Sequence, residues 1–113
     1  MIKILHNPRC RKSREGLEYL KTKCPDIDVI DYLKDGLTRE LIEEILLKTG
    51  FTPLKLIRTQ EEAYRKELKG RNFTREEWIR ILIENPKLLQ RPIVIAKHKA
   101  LLAQPPETID RVI

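Results

Sequence analysis

Apolar positions along this chain fall in short clusters whose spacing alternates between that of strands and that of helices. Ile2, Ile4 and Leu5 form a run short enough for a buried strand, and Asn7-Pro8 ends it in a loop. Helical spacing follows, with Leu17 and Leu20 on one face, and stops near Cys24-Pro25. Asp28-Val29-Ile30-Asp31-Tyr32 reads as a second short strand. A strand, a crossover helix and a strand place the two strands parallel.

Asp35-Gly36 marks a turn, and Thr38 is positioned to cap a helix carrying Leu41, Ile42, Ile45 and Leu46 and ending at Gly50. Pro53 to Arg58 is a short apolar piece. Thr59-Gln60-Glu61-Glu62 reads as a capping box that opens a helix through about Leu68, closed by Gly70. Thr74-Arg75-Glu76-Glu77 is a second capping box, ahead of a helix with Trp78, Ile79, Leu82 and Ile83. Trp78 there reads as core. After Asn85-Pro86 the β-branched run Leu88 to Ala96 predicts a strand, Lys97-His98-Lys99 a turn, and Ala100 to Ala103 the return strand of a hairpin. Pro105-Pro106-Glu107 sets up a C-terminal helix. The predicted order is β-α-β, three helices, then β-β-α. Residues 1–113 therefore form one α/β domain with a mixed sheet of about four strands.

Composition narrows the class. With 113 residues, 41% of them hydrophobic and 35% charged, the chain fits one globular domain with a solvated surface. No apolar run approaches the roughly 20 residues of a membrane span. The strand pattern starts without a signal-peptide arrangement before it, so a cytoplasmic location and no membrane partner are expected. The net charge of +6 comes from basic residues mixed with acids, and aromatics are 5%, too few for a stacking platform. Nucleic acid is not an expected partner. No credible cluster of metal ligands stands out, and His98 is given no role.

Cys10 lies where the first strand passes into the first helix, with Arg9, Arg11, Lys12 and Arg14 around it. The first N–H groups of a helix lack intrahelical partners and favour negative charge. A thiol there should ionise more readily than usual, and the same N–H groups would hold an oxyanion beside the sulfur. Position alone leaves a small apolar residue among solvated cations as an equal alternative. Cys24 would lie about 21 Å away along a continuous helix, too far for a disulfide. The Cys10-Arg11-Lys12-Ser13 segment carries serine where a dithiol site would carry a second cysteine. Any redox cycle must then take its second thiol from outside this segment.

His6-Asn7-Pro8-Arg9-Cys10-Arg11-Lys12-Ser13-Arg14, Leu56-Ile57-Arg58-Thr59, Gln90-Arg91-Pro92-Ile93-Val94 and Pro105-Pro106-Glu107, taken together, resemble the glutaredoxin-coupled arsenate reductase family. The resemblance runs from about residue 2 to residue 113 in matching order. It implies a thioredoxin-like fold, with the Arg91-Pro92 peptide cis and against the thiol. It further implies that Cys10 attacks arsenate, and that glutathione and glutaredoxin resolve the adduct and release arsenite. No bound cofactor is implied, and glutathione serves as external reductant. By the same resemblance His6 helps hold the thiolate, Ser13 donates to the sulfur or to a bound oxygen, and Arg58 and Arg91 bind the oxyanion. The family's reductases carry a third arginine just before Pro-Pro-Glu, where this chain has Gln104. Arg9, Arg11 or Arg14 are candidates to compensate, with Arg14 placed among the substrate-binding residues. Two alternatives stand beside arsenate reduction. One is a glutathione-dependent reductase of another substrate. The other is a non-enzymatic regulator that binds RNA polymerase, as Spx-type members of the wider family do. Ser13 speaks against the latter, since a redox-sensing version would carry cysteine there.

Overall fold

The computed structural model describes residues 1–113. Four strands form one mixed sheet: β1 (Ile2–Leu5), β2 (Ile27–Ile30), β3 (Ile93–Ile95) and β4 (Ala100–Leu102). Their order is β2-β1-β3-β4, with β1 and β2 parallel and both the β1–β3 and β3–β4 pairs antiparallel. The parallel pair is joined by α1 (Arg11–Lys23), as the strand–helix–strand reading required.

The alternation of side chains along each strand divides the core in two. Leu5, Ile93 and Ile95 face the larger cluster, built with Ile42, Ile45, Trp78 and Ile79. These helical residues come from α3 (Arg39–Thr49) and α4 (Arg75–Glu84). Ile4 and Val94 face the opposite side, where Leu20 of α1, Ala103 and Ile109 cover them. Because β1 and β3 are buried on both faces, they read as continuous apolar runs rather than alternating ones.

Several local signals form as expected. Thr38 accepts the Leu41 N–H at 3.1 Å, and Gly50 ends α3 at φ +73°, a left-handed conformation that costs glycine little. Thr74 and Glu77 complete a reciprocal capping box. Arg91-Pro92 is cis, and so is Gln104-Pro105. Both cysteines are free. No helix is long and apolar enough to cross a membrane.

Other expectations are corrected. Thr59 caps nothing; a short helical segment does run to Leu68 and give way at Gly70, φ +79°, but it is a π-turn at Tyr64–Leu68 rather than an α-helix, with no fully buried residue. Ile57 forms a bridge with Leu89, and the Arg58 N–H donates to the Leu88 carbonyl at 2.7 Å. This pairing holds the chain extended up to Arg58, and the segment beyond anchors only Tyr64 and Leu68, both half-buried, against the core. The long strand predicted from Leu88 to Ala96 shrinks to Ile93–Ile95, preceded by a 3-10 turn at Pro86–Leu88. Pro92 has no N–H to give a ladder. The second strand ends at Ile30, and Tyr32 instead opens a one-turn helix, α2 (Tyr32–Asp35), capped by Asp31. The C-terminal helix is a 3-10 segment, Pro106–Arg111.

One close contact ties α1 to the segment entering β3. A methyl group at Gly16 would lie 2.7 Å from Cγ of Pro92 and 3.9 Å from Cβ of Ala103. Gly16→Ala gains roughly 1 kcal/mol of helix propensity, but overpacking against an anchored ring costs about 1–3 kcal/mol. We expect a net loss of about 1 kcal/mol in urea denaturation. Stability equal to or above wild type would mean that the Pro92 segment yields freely.

Candidate active site

The site is built on the turn between β1 and α1. The ladder continues one step past β1, where the His6 N–H donates to Ile30 at 2.9 Å. Asn7 then folds the loop back: its side-chain oxygen accepts the Arg9 N–H at 3.0 Å and its carbonyl accepts the Cys10 N–H at 3.0 Å. Cys10 becomes the N-cap of α1, with extended backbone and its own carbonyl accepting the Arg14 N–H. The first turn of α1 contains no acidic residue. Burial by itself pushes the Cys10 thiol up. The Ser13 N–H, the Arg91 guanidinium and the Lys12 N–H all favour the thiolate, and together they hold the thiol below its ordinary value.

Cys10 opens into a cavity of about 300 Å³ lined by Lys12, Arg58, Gln90, Arg91 and Gln104, with no carboxylate among its lining residues. They come from four segments, with Gln90 and Arg91 sharing the one that leads into β3. Arg58 follows the turn Pro53–Leu56 and is fixed by its backbone bond to Leu88. Arg91 precedes β3, and its Nη1 donates to the Lys87 carbonyl at 3.2 Å. Gln104 follows β4. Arg58 Nη1 lies 3.7 Å from Glu61 Oε1, beyond hydrogen-bond range. That nitrogen and Arg91 Nε are both buried without a hydrogen-bond partner.

Of the residues predicted for the site, Cys10, Arg58, Arg91 and Gln104 meet in this cavity, with Pro92 directly behind Arg91. Three depart from expectation. The Ser13 hydroxyl, fully buried, lies 2.7 Å from His6 Nδ1 and accepts the Asn7 N–H at 2.9 Å. The group that Ser13 offers the sulfur is its backbone N–H. His6 therefore acts on the turn through Ser13 rather than on the thiol directly. Burial lowers the pKa of His6 despite the attraction of Asp31, which favours a neutral ring at neutral pH. Arg14 is exposed and donates to the Pro8 carbonyl at 3.0 Å. With His6 it lines a neighbouring cavity, so it does not join Arg58 and Arg91. His98 lies on an exposed turn. The sequence reading gave no role to Tyr32, whose phenol is wholly buried near the two arginines. Its one legible signal was its place just past β2, the strand beside β1.

A cysteine at the N-cap of the first helix, beside a mixed four-stranded sheet, with a cis proline leading into β3 and arginines lining the cavity before it, defines a thioredoxin-like domain. The ArsC family model matches residues 5–112, and the chain belongs to the ArsC family. It is 36% identical over 110 residues to the uncharacterized protein YfgD of Escherichia coli, covering 96% of this chain and 92% of that one. It is 33% identical over 114 residues to an arsenate reductase of Neisseria meningitidis serogroup B, covering 99% and 97%. The solved arsenate reductase from Vibrio cholerae superposes with a TM-score of 0.91 at 30% identity, over 99% of this chain and 97% of that one.

The electrostatics can be tested on the thiol alone. In Cys24→Ser protein, the pH profile of alkylation by iodoacetamide should have its midpoint below the usual thiol range. Arg91→Gln removes both a charge and a donor and should move that midpoint upward, whereas Arg14→Gln should leave it in place. An unmoved midpoint in Arg91→Gln would refute the assignment of Arg91 as a stabiliser of the thiolate.

Proposed function

We propose that the protein reduces arsenate, with Cys10 as nucleophile and external thiols as the electron source. One observation carries this reading. A thiolate-favouring cysteine shares a cavity lined by no carboxylate with two arginines that each keep a buried nitrogen without a hydrogen bond. Cations held in this way suit an anionic substrate with several oxygens, which can accept from both guanidinium groups at once. The arsenate reductases among its relatives support the choice of oxyanion.

The chemistry would run in three steps. The Cys10 sulfur attacks arsenic(V): an As–S bond forms, an As–O bond breaks, and the departing oxygen leaves as water after taking up protons. An external thiol then attacks the Cys10 sulfur. The As–S electron pair passes to arsenic, arsenite leaves as arsenic(III), and a Cys10 mixed disulfide remains. A second external thiol exchanges with that disulfide and restores Cys10. Two thiols are oxidised to one disulfide, and one arsenate is reduced by two electrons. Glutathione and glutaredoxin are the proposed thiols, because the Cys10 segment holds no resolving cysteine of its own. Arg58 and Arg91 would hold the substrate oxygens and the charge that builds up during attack. Substrate anion and the Ser13 and Lys12 N–H groups meet at the same helix end.

Gln104 favours a second reading, a glutathione-dependent reductase of mixed disulfides, since it places a neutral amide where charge would help an oxyanion. A charge-assisted hydrogen bond contributes about 1.5–3 kcal/mol, roughly ten- to hundred-fold in turnover. Arsenate-dependent NADPH oxidation, with glutathione, glutathione reductase and glutaredoxin supplied, decides between the two. We expect measurable wild-type turnover, an increase of roughly ten- to hundred-fold in kcat/KM for Gln104→Arg, and none in folded Cys10→Ser. No arsenate turnover in wild type or Gln104→Arg, with rapid reduction of a glutathione mixed disulfide, would reject arsenate in favour of the second reading.

A further inference from the structure

Tyr32 opens α2, one residue past the Asp31 cap and two past the end of β2. Ile30, the last residue of that strand, pairs with Leu5 and accepts the His6 N–H, so Tyr32 leaves the sheet at the edge from which Cys10 also emerges. The α2 turn packs on the turn Pro86–Leu88. Leu88 accepts the Arg58 N–H, and Lys87 accepts Arg91 Nη1. The segment that receives Tyr32 is therefore the one that positions both arginines. Its ring sits in the main hydrophobic cluster with Ile57, Leu88 and Leu89, at 0% exposure.

The phenol oxygen is one of three buried side-chain polar atoms in the protein that have no hydrogen-bond partner. The other two are Arg58 Nη1 and Arg91 Nε. Arg91 acts on the phenol oxygen both as a charge and as a neighbouring donor outside good hydrogen-bond geometry, and Arg58 and Cys10 act through charge. A guanidinium cannot accept, so the phenol proton itself has no acceptor. Burial pushes its pKa up to about 12, outweighing the pull of the arginines, so it keeps its proton through the physiological range and can donate it. A tyrosine placed only for packing gains nothing from a buried, unpaired hydroxyl. Phenylalanine would fill the same space without that penalty. Three unpaired donors clustered behind one thiol call for a single occupant rich in acceptors.

We propose that Tyr32 is a third binding group of the Cys10 cavity, donating its phenol O–H to an oxygen of the tetrahedral oxyanion held by Arg58 and Arg91. This assignment rests on the oxyanion reading above. Tyr32 is not among the residues that line the cavity; from the core it would supply a neutral donor to an anion held deep between the two arginines. Being uncharged, it adds a directed hydrogen bond without adding to the repulsion between the two guanidinium groups.

The test measures binding without turnover. Cys10→Ser protein, which keeps the donors and lacks the nucleophile, is titrated with inorganic arsenate by calorimetry, beside Cys10→Ser/Tyr32→Phe. A hydrogen bond to a charged ligand predicts a dissociation constant about ten- to hundred-fold weaker in the double variant. Thermal unfolding without arsenate should show equal or higher stability for the phenylalanine protein. Equal arsenate affinity in the two proteins would overturn the role of Tyr32 and leave the oxyanion reading intact. Failure of Cys10→Ser to bind arsenate at all would overturn both. Loss of stability or of folding on Tyr32→Phe would give the hydroxyl a structural partner and would also overturn the proposal.

Discussion

The rest of this structure depends on keeping positive charge close to a half-buried thiol with no carboxylate lining its cavity, the nearest being Glu61 at 3.7 Å from Arg58 Nη1. Arg58 and Arg91 are partly buried, repel one another, and each lacks a hydrogen bond at one inner nitrogen. Such an arrangement is unfavourable by itself. It persists because both arginines are anchored through main-chain bonds that do not involve their unpaired atoms. The Arg58 N–H binds Leu88, and Arg91 Nη1 binds Lys87. The thiolate is the remaining counterweight, since the free N–H groups of α1 add to the positive potential, and an anion in the cavity would complete the balance.

The sheet order makes this possible. β1 lies between β2 and β3, so the loop after β1 is flanked by Tyr32 on one side and by Arg91 on the other. Gly16 lets α1 come close enough to Pro92 to fix the distance between the helix carrying Cys10 and the segment carrying Arg91. Ile57 bridging to Leu89 ties the Arg58 segment to the same region. The two hydrophobic clusters lock the arrangement from both faces, with Leu5 and Ile4 anchoring adjacent positions of one strand on opposite sides. Core packing and site geometry are the same set of contacts seen from two directions.

What was legible in the sequence follows from how local each signal is. The turn from β1 to α1, the Thr38 and Thr74 caps and the buried strands β1 and β3 depend on neighbouring residues and short-range periodicity, and all were readable. The Thr59 capping box was not realised, because a long-range pairing between Ile57 and Leu89 took its place. The same pairing and Pro92 cut short the strand expected from Leu88. Which donor of Ser13 faces the sulfur depends on His6 and Asn7 claiming its hydroxyl, a pairing across the turn that no local pattern shows. Arg14 was counted with the substrate arginines because it is close to Cys10 in sequence. Its guanidinium instead donates to the Pro8 carbonyl and lines a different cavity from Arg58 and Arg91. Tyr32 was read as strand, since no local pattern reveals a phenol buried between segments nearly sixty residues apart.

Gln104 has to be judged against the charge already present. Lys12, Arg11, Arg58 and Arg91 line the cavity with no acid among them. A further arginine would strengthen the field on a bound anion, and it would also raise the repulsion that the empty site must withstand. A glutamine gives up the first effect and avoids the second, while keeping a donor at the rim. The position therefore trades anion affinity against the stability of the unliganded fold. Its neutrality is compatible with an oxyanion site already lined by two arginines at the N-terminus of α1.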